Sequence, residues 1–343
     1  MSWSRYLSVR RAEGERFLWR RRQTPGVDYS YGDPRLAAIR AAGLEGADGW
    51  AVIREQLAGA AADAAADADG SPAGGEELTF LAGGLQTVSG VERWIGDVIA
   101  AAPGDPLPLL VSGVRHIGWA WHSRAWLETR DVAESQAKLF RDRLTVAEQQ
   151  LAAVAEREPG WAAPWYFRQI SARGLDLGQE VAERRFTETC RRAPGHVAAH
   201  RERLQQLTSR WGGSQEQMHA FAQQAAFAAP EGSALGQLVA LAHLEEWVDR
   251  GADPESSYLQ SGRVLGSLHE AAERSVFHPE FVRTRDWAIA FNAFAMAFSL
   301  AGDQIAARAM FRVLGDRVTE MPWQYLDERS PMVAFRGWRN EVQ

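Results

Sequence analysis

Along most of the chain, apolar residues recur three and four positions apart. Val91, Trp94, Ile95, Val98 and Ile99 are one such run, and this spacing places all five on one face of a helix. The alternation expected of strands is scarce, few segments are rich in Val, Ile and Thr, and no Asn-Gly hairpin turn occurs. The pattern predicts an all-α chain. Its punctuation is regular: Pro159 in EREPGW, Pro194 in RRAPGH and Pro230 in FAAPEG stand 35 and 36 residues apart. Each follows one apolar-periodic stretch and precedes another. Proline lacks an amide proton and suits a helix's first turn, so each marks a stop and a restart. An interval near 35 residues accommodates two antiparallel helices and two turns. A single pair of this kind leaves an apolar side that only a stacked neighbour can bury.

The residues inside these intervals resemble tetratricopeptide-type repeats. Ala182, Phe186 and Pro194 match the small residue, following aromatic and terminal proline of that family's second helix, and Tyr166 takes the aromatic place on the first. Ala147, Leu151 and Pro159 match more loosely, and Phe298, Gly302, Ala307 and Phe311 recur at similar spacing near the end. Ile170 and Ala295 stand where the family has glycine, and the unit containing WGGS fits only after a shift of register. The resemblance covers roughly residues 106–320. It implies an α-solenoid of antiparallel helix pairs, whose usual role is to hold a protein or peptide partner. RWGGS, between PGHVAAH and AHLEEW, also resembles helical-repeat proteins of actinobacteria, which implies no activity.

One stretch breaks the helical pattern. LAGAAADAAADADGSPAGGEE, residues 57–77, begins as an Ala-rich helix end and then meets Gly70, Ser71, Pro72, Gly74 and Gly75, which stop a helix. It reads as a flexible loop between an N-terminal helical region, 1–56, and a helical-repeat body, 78–343. The N-terminal region opens with seven arginines, Arg5, Arg10, Arg11, Arg16, Arg20, Arg21 and Arg22. They form either a solvated helix face or an arm for an acidic partner.

Composition narrows the function classes. A hydrophobic share of 46% is enough for a core, and a net charge of −6 argues against a general nucleic-acid binder. Lys138 is the only lysine among 38 basic residues, the codon bias of a GC-rich bacterial genome. The lone cysteine, Cys190, excludes an internal disulfide and a cysteine-based zinc site and suggests a reducing, cytoplasmic setting. No apolar run is long enough to span a membrane, and the first residues lack the apolar middle of a secretion signal.

The most motif-like string, WGGS at 211–214, reads most economically as a turn. Residues 197–210 are expected as a first helix, Gly212 or Gly213 as its left-handed terminator, and Ser214 as the cap of the next, with Gln217 completing a capping box. The alternative is an anion site built from the backbone of Gly212, Gly213 and Ser214. Trp- and Arg-rich segments suggest a binding groove containing His116, Trp119, Trp126, Trp161, Trp165 and Trp211. Buried filler within a solenoid is the competing explanation.

His196 and His200 are four apart, and His243 and Glu246 three apart, on expected helices. If stacking brought the pairs together, they would suit iron, zinc or copper, with His219 as a proton carrier, and the chain would be a metal-dependent enzyme. No nucleotide-binding signature occurs: LAGGLQTVSG lacks the phosphate-loop lysine. Ser112 and Ser233 lack the setting of a nucleophile elbow, and HPEF at 278–281 reads as a turn. The leading expectation is an interaction scaffold without cofactor.

Overall fold

The structure, a computed structural model, describes residues 26–66, 74–123, 130–283 and 285–342. These residues form fifteen α-helices and several short 3-10 turns, with no strand among them. The first six helices are α1 (Pro34–Leu44), α2 (Trp50–Ala66), α3 (Gly74–Gly83), α4 (Val91–Ala101), α5 (Pro106–Ser123) and α6 (Arg130–Arg157). Then come α7 (Ala163–Gly174), α8 (Gln179–Arg192), α9 (Val197–Gln206), α10 (Gln215–Ala228) and α11 (Gln237–Asp249). The last four are α12 (Gly262–Glu273), α13 (Ala288–Ala301), α14 (Gln304–Leu314) and α15 (Pro331–Val342). None of the helices described is long and apolar enough to cross a membrane.

The three punctuating prolines fall in the turns before α7, α9 and α11, as the sequence predicts. From α5 onward each helix packs against its chain neighbours. In addition α5 touches α7, α7 touches α9, α9 touches α11, α11 touches α13, and α13 touches α15. The odd-numbered helices therefore form an unbroken series. In the first pair of this series Gly113 of α5 permits close approach: a Cβ there would lie 2.8 Å from Leu151 Cγ of α6 and 3.5 Å from the Ala147 carbonyl oxygen.

Burial follows from position in the series. Helix α14 lies at an edge and buries one stripe, Ala306, Ala307, Met310, Phe311 and Leu314. Helices α11 and α13 are enclosed: nearly every residue from Gln237 to Trp247 and from Ala288 to Ala301 is buried. A helix packed on all sides must be mostly apolar, as α13 is apart from Asn292 and Ser299, or must answer its polar groups internally. Helix α11 takes the second course. Glu245 accepts hydrogen bonds from Gln205 and Tyr325 and pairs with Arg210, and Glu246 is answered by Tyr258, Arg250 and His219.

Within the segment 57–77 helix reaches further than its composition suggests. Helix α2 runs to Ala66, and α3 begins at Gly74, so Gly74, Gly75, Glu76 and Glu77 all lie in helix; residues 67–73 lie outside the described part. Leu57, Ala60, Ala61 and Ala64 bury themselves in the same apolar cluster as Leu78, Leu81 and Ala82. That cluster extends from Leu36 to Ile170, so no core boundary falls at 57–77; a second cluster runs from Leu204 to Val342. Ala-rich sequence is a good helix former, which carries the first helix to Ala66, and Gly74 and Gly75 stand in the opening turn of the next. The seven N-terminal arginines also lie outside the described residues.

Residues 26–33 tie the chain's two ends together. Val27 packs on the second cluster, Tyr31 stands against Phe80 at 6.2 Å on the first, and Tyr29 donates a hydrogen bond to Glu320. Nearby, Arg201 of α9 pairs with Asp286, Glu76 of α3 with Arg285 at 2.7 Å, and Tyr325 bonds Glu245. The face of α9 and α11 that carries Arg201 and Glu245 is thus covered by the chain's own later segments.

Candidate functional site

The turn at WGGS forms largely as its residues dictate. Helix α9 ends at Gln206, four residues before the expected end, and a 3-10 turn covers Ser209–Trp211. Gly212 takes the left-handed conformation at φ 85°, and Ser214 Oγ accepts the Gln217 amide at 3.2 Å to start α10. The amides of Gly212 and Gly213 donate to the carbonyls of Ser209 and Thr208 at 3.2 and 3.1 Å. Those two donors are consumed within the turn, so Gly212 and Gly213 do not offer their amides to an anion.

Trp211 is half-buried at this turn, edge-on to Trp121 of α5 at 6.1 Å and 77°. The guanidinium of Arg173, at the end of α7, lies 5.1 Å from the Trp211 ring and 4.7 Å from that of Trp121. A bidentate contact from Glu202 of α9, at 2.6 and 3.2 Å, fixes this arginine between the two rings. Gln179 of α8 clamps the turn by donating to the carbonyls of Trp211 and Gln206 at 2.9 and 2.5 Å, and it accepts from Arg203 at 2.9 Å. A small pocket opens here, walled by Ala172, Arg173, Gln179, Ala182, Gln206 and Trp211. Two buried atoms, Gln206 Oε1 and Arg203 Nε, have no hydrogen-bond partner among the described residues. Orphaned polar atoms are costly in a protein interior, so this corner is less fully satisfied than the helices around it.

The other expected groove residues do not join this edge. Trp161 is 4% exposed within the first core cluster. Trp165 lies between the guanidinium groups of Arg168 and Arg192, at 5.1 and 5.0 Å. Trp119 carries Arg143 over its face at 3.8 Å and has His116 beside it at 5.9 Å. The His116 ring is held by the Ser112 carbonyl at 2.8 Å, and burial lowers its basicity. Trp126 lies outside the described residues. The expected single groove is therefore several separate tryptophan–arginine contacts. Trp121 and Arg173 were not among the expected site residues, because only the meeting of α5, α7 and the α9–α10 turn makes them neighbours.

The histidines divide differently from the expected set of four. His196 is completely buried. Its Nδ1 accepts the Ala199 amide at 3.1 Å, capping α9, and its Nε2 is 3.0 Å from Thr79 Oγ1. Beside it, Glu76 accepts the Val197 amide at 2.8 Å. Burial, with His200, Arg285 and Arg201 nearby, pushes His196 down to about 3. His200 donates through Nδ1 to the His196 carbonyl at 2.9 Å and lies between Phe186 and Phe221. Both rings are engaged in capping and packing, and neither joins His243 and Glu246.

His219 of α10 joins them instead. Its Nε2 is 2.7 Å from Glu246 Oε2, and its ring is 4.8 Å from that of His243. Tyr258 donates to Glu246 Oε2 at 2.5 Å and lies 2.8 Å from His243 Nδ1; Ser267 is 3.3 Å from His243 Nε2. Arg250 takes the other carboxylate oxygen at 2.9 and 2.6 Å. Burial alone would raise Glu246, but the bonds from Tyr258, Arg250 and His219 prevail and hold its carboxyl below the usual range. Burial, with His219 nearby, pushes His243 down to about 3.

Comparison with known proteins supplies no precedent for either site: no protein-family model, curated protein or solved structure matches the chain.

Proposed function

We propose that the chain is a helical-repeat interaction scaffold, a divergent tetratricopeptide-like solenoid, and that a peptide segment of its partner docks on the edge formed by Trp121, Arg173 and Trp211. The unbroken series of odd-numbered helices, and prolines one helix pair apart in the turns, support the repeat reading. The placement of the docking edge rests on one observation: an aromatic–arginine pocket beside a buried, unpartnered Gln206 oxygen. A peptide laid along this edge would gain contact area from the Trp211 and Trp121 rings and the Arg173 guanidinium. The covered face of α9 and α11 is a poorer choice, since Asp286 and Tyr325 already occupy its polar groups. A reducing, cytoplasmic setting fits Cys190, whose half-buried thiol is pushed up to about 12 by desolvation and is chemically quiet.

Selection from a displayed random-peptide library tests this. The scaffold reading expects enriched peptides whose affinity falls about tenfold or more in Trp211→Ala, as for an interface hot spot, and is unchanged in Trp165→Ala. No enrichment, or peptides indifferent to Trp211→Ala, would contradict it.

A further inference from the structure

We propose that His219, His243 and Glu246 form a binding site for a zinc-type divalent ion, independent of the peptide-docking edge. One ring nitrogen from each histidine and one carboxylate oxygen lie within 4.8 Å of one another. Ligands around a tetrahedral zinc ion, with bonds of about 2.0–2.1 Å, stand roughly 3.3 Å apart, so side-chain adjustments of about an ångström would complete the arrangement. Two imidazoles and one carboxylate suit late first-row dications; calcium and magnesium prefer all-oxygen sets.

The surroundings have the form of a supporting shell. Arg250 holds Glu246 Oε1, leaving Oε2 toward His219. Tyr258 and Ser267 stand at the two nitrogens of His243; the contact at one nitrogen fixes the ring while that at the other gives way to the ion. Such outer contacts orient metal ligands and set their tautomers. His243 and Glu246 share α11 at a separation of three, so both project to one side; His219 approaches from α10. The His219 side chain is 21% exposed and Glu246 8%, so an ion reaches the site from solvent past His219. A fourth position is left for water or for the Tyr258 hydroxyl.

The test is titration of the chelator-stripped, untagged full chain with cobalt chloride and then zinc chloride, followed by visible absorption and thermal unfolding. The expected result is one cobalt ion per chain with the intense visible bands of four- or five-coordination, displacement by zinc, and a raised unfolding midpoint. His219→Ala and Glu246→Gln should each lower affinity by more than the roughly tenfold that loss of a supporting hydrogen bond costs, while His200→Gln should not. Tyr258→Phe, which removes the hydroxyl that orients both His243 and Glu246, should lower affinity about tenfold. Should Glu246→Gln fail to fold, His219→Ala at the rim decides the matter. Absence of bands and of any metal-dependent midpoint shift, or undiminished affinity in His219→Ala, would overturn the site.

Discussion

Phe186 of α8 stands edge-on to His200 of α9, with ring centroids 4.9 Å apart and planes 89° apart. Phe221 of α10 completes the group, 5.5 Å from Phe186 and stacked on His200 at 6.0 Å. The aromatic of one helix pair is thereby seated on both helices of the next. This contact between units is what a stacked-pair architecture needs, and it gives His200 a packing role.

Phe186→Ala should therefore lower stability by about 2–3 kcal/mol, somewhat below the usual cost for a fully buried phenylalanine, because this one is only half-buried. Losses in Phe186→Ala and His200→Ala should not add, with a coupling near 0.5–1.5 kcal/mol. Urea unfolding of the two single variants and the double variant measures both. Strict additivity would mean that the rings do not couple the units.

The WGGS turn makes a sharper distinction between its two glycines. A Cβ on Gly213 would lie 2.1 Å from the Leu207 carbonyl oxygen, whereas one on Gly212 meets nothing within 4 Å and suffers only the left-handed conformation. Gly212→Ala is expected to cost about 1 kcal/mol. Gly213→Ala should cost more, since backbone must move. Equal costs in chemical denaturation would show that the turn has another form.

Much of this was legible in the chain. The three-and-four spacing, the prolines and Ser214 mark the helices and their limits, because these are local preferences of the backbone. His243 and Glu246 were readable as a pair for the same reason, being one helical turn apart. The third member was not, since which of His196, His200 or His219 meets them depends on the offset between neighbouring helices. The capping of α9 by Glu76, and that residue's pairing with Arg285, join positions 121 and 209 apart in sequence, which no periodicity reveals. Within 57–77 the Ala-rich helix end was legible, whereas the helical start at Gly74 was not, because Gly74 and Gly75 carry turn signals.

His196 has a consequence for acid stability. Folding holds this imidazole neutral down to about 3, while in the unfolded chain it takes up a proton near its ordinary value of 6.5. The unfolded state binds more protons between those limits, so the stabilisation is complete above pH 6.5 and is lost as pH falls below it. The slope reaches at most ~1.4 kcal/mol per pH unit for this residue. His196→Asn keeps a capping side chain and removes the titration. The difference in stability between the two proteins should shrink from pH 7 to pH 5, as measured by urea unfolding. A difference independent of pH would place the proton elsewhere.

Amide hydrogen exchange of the full chain, with and without a library-selected peptide, tests the docking edge most directly. The account predicts added protection across residues 172–182 and 205–214, with none at Asp286 or Tyr325. Unchanged exchange at both of those segments, with the peptide instead protecting or displacing residues 285–287 and 320–327, would contradict it.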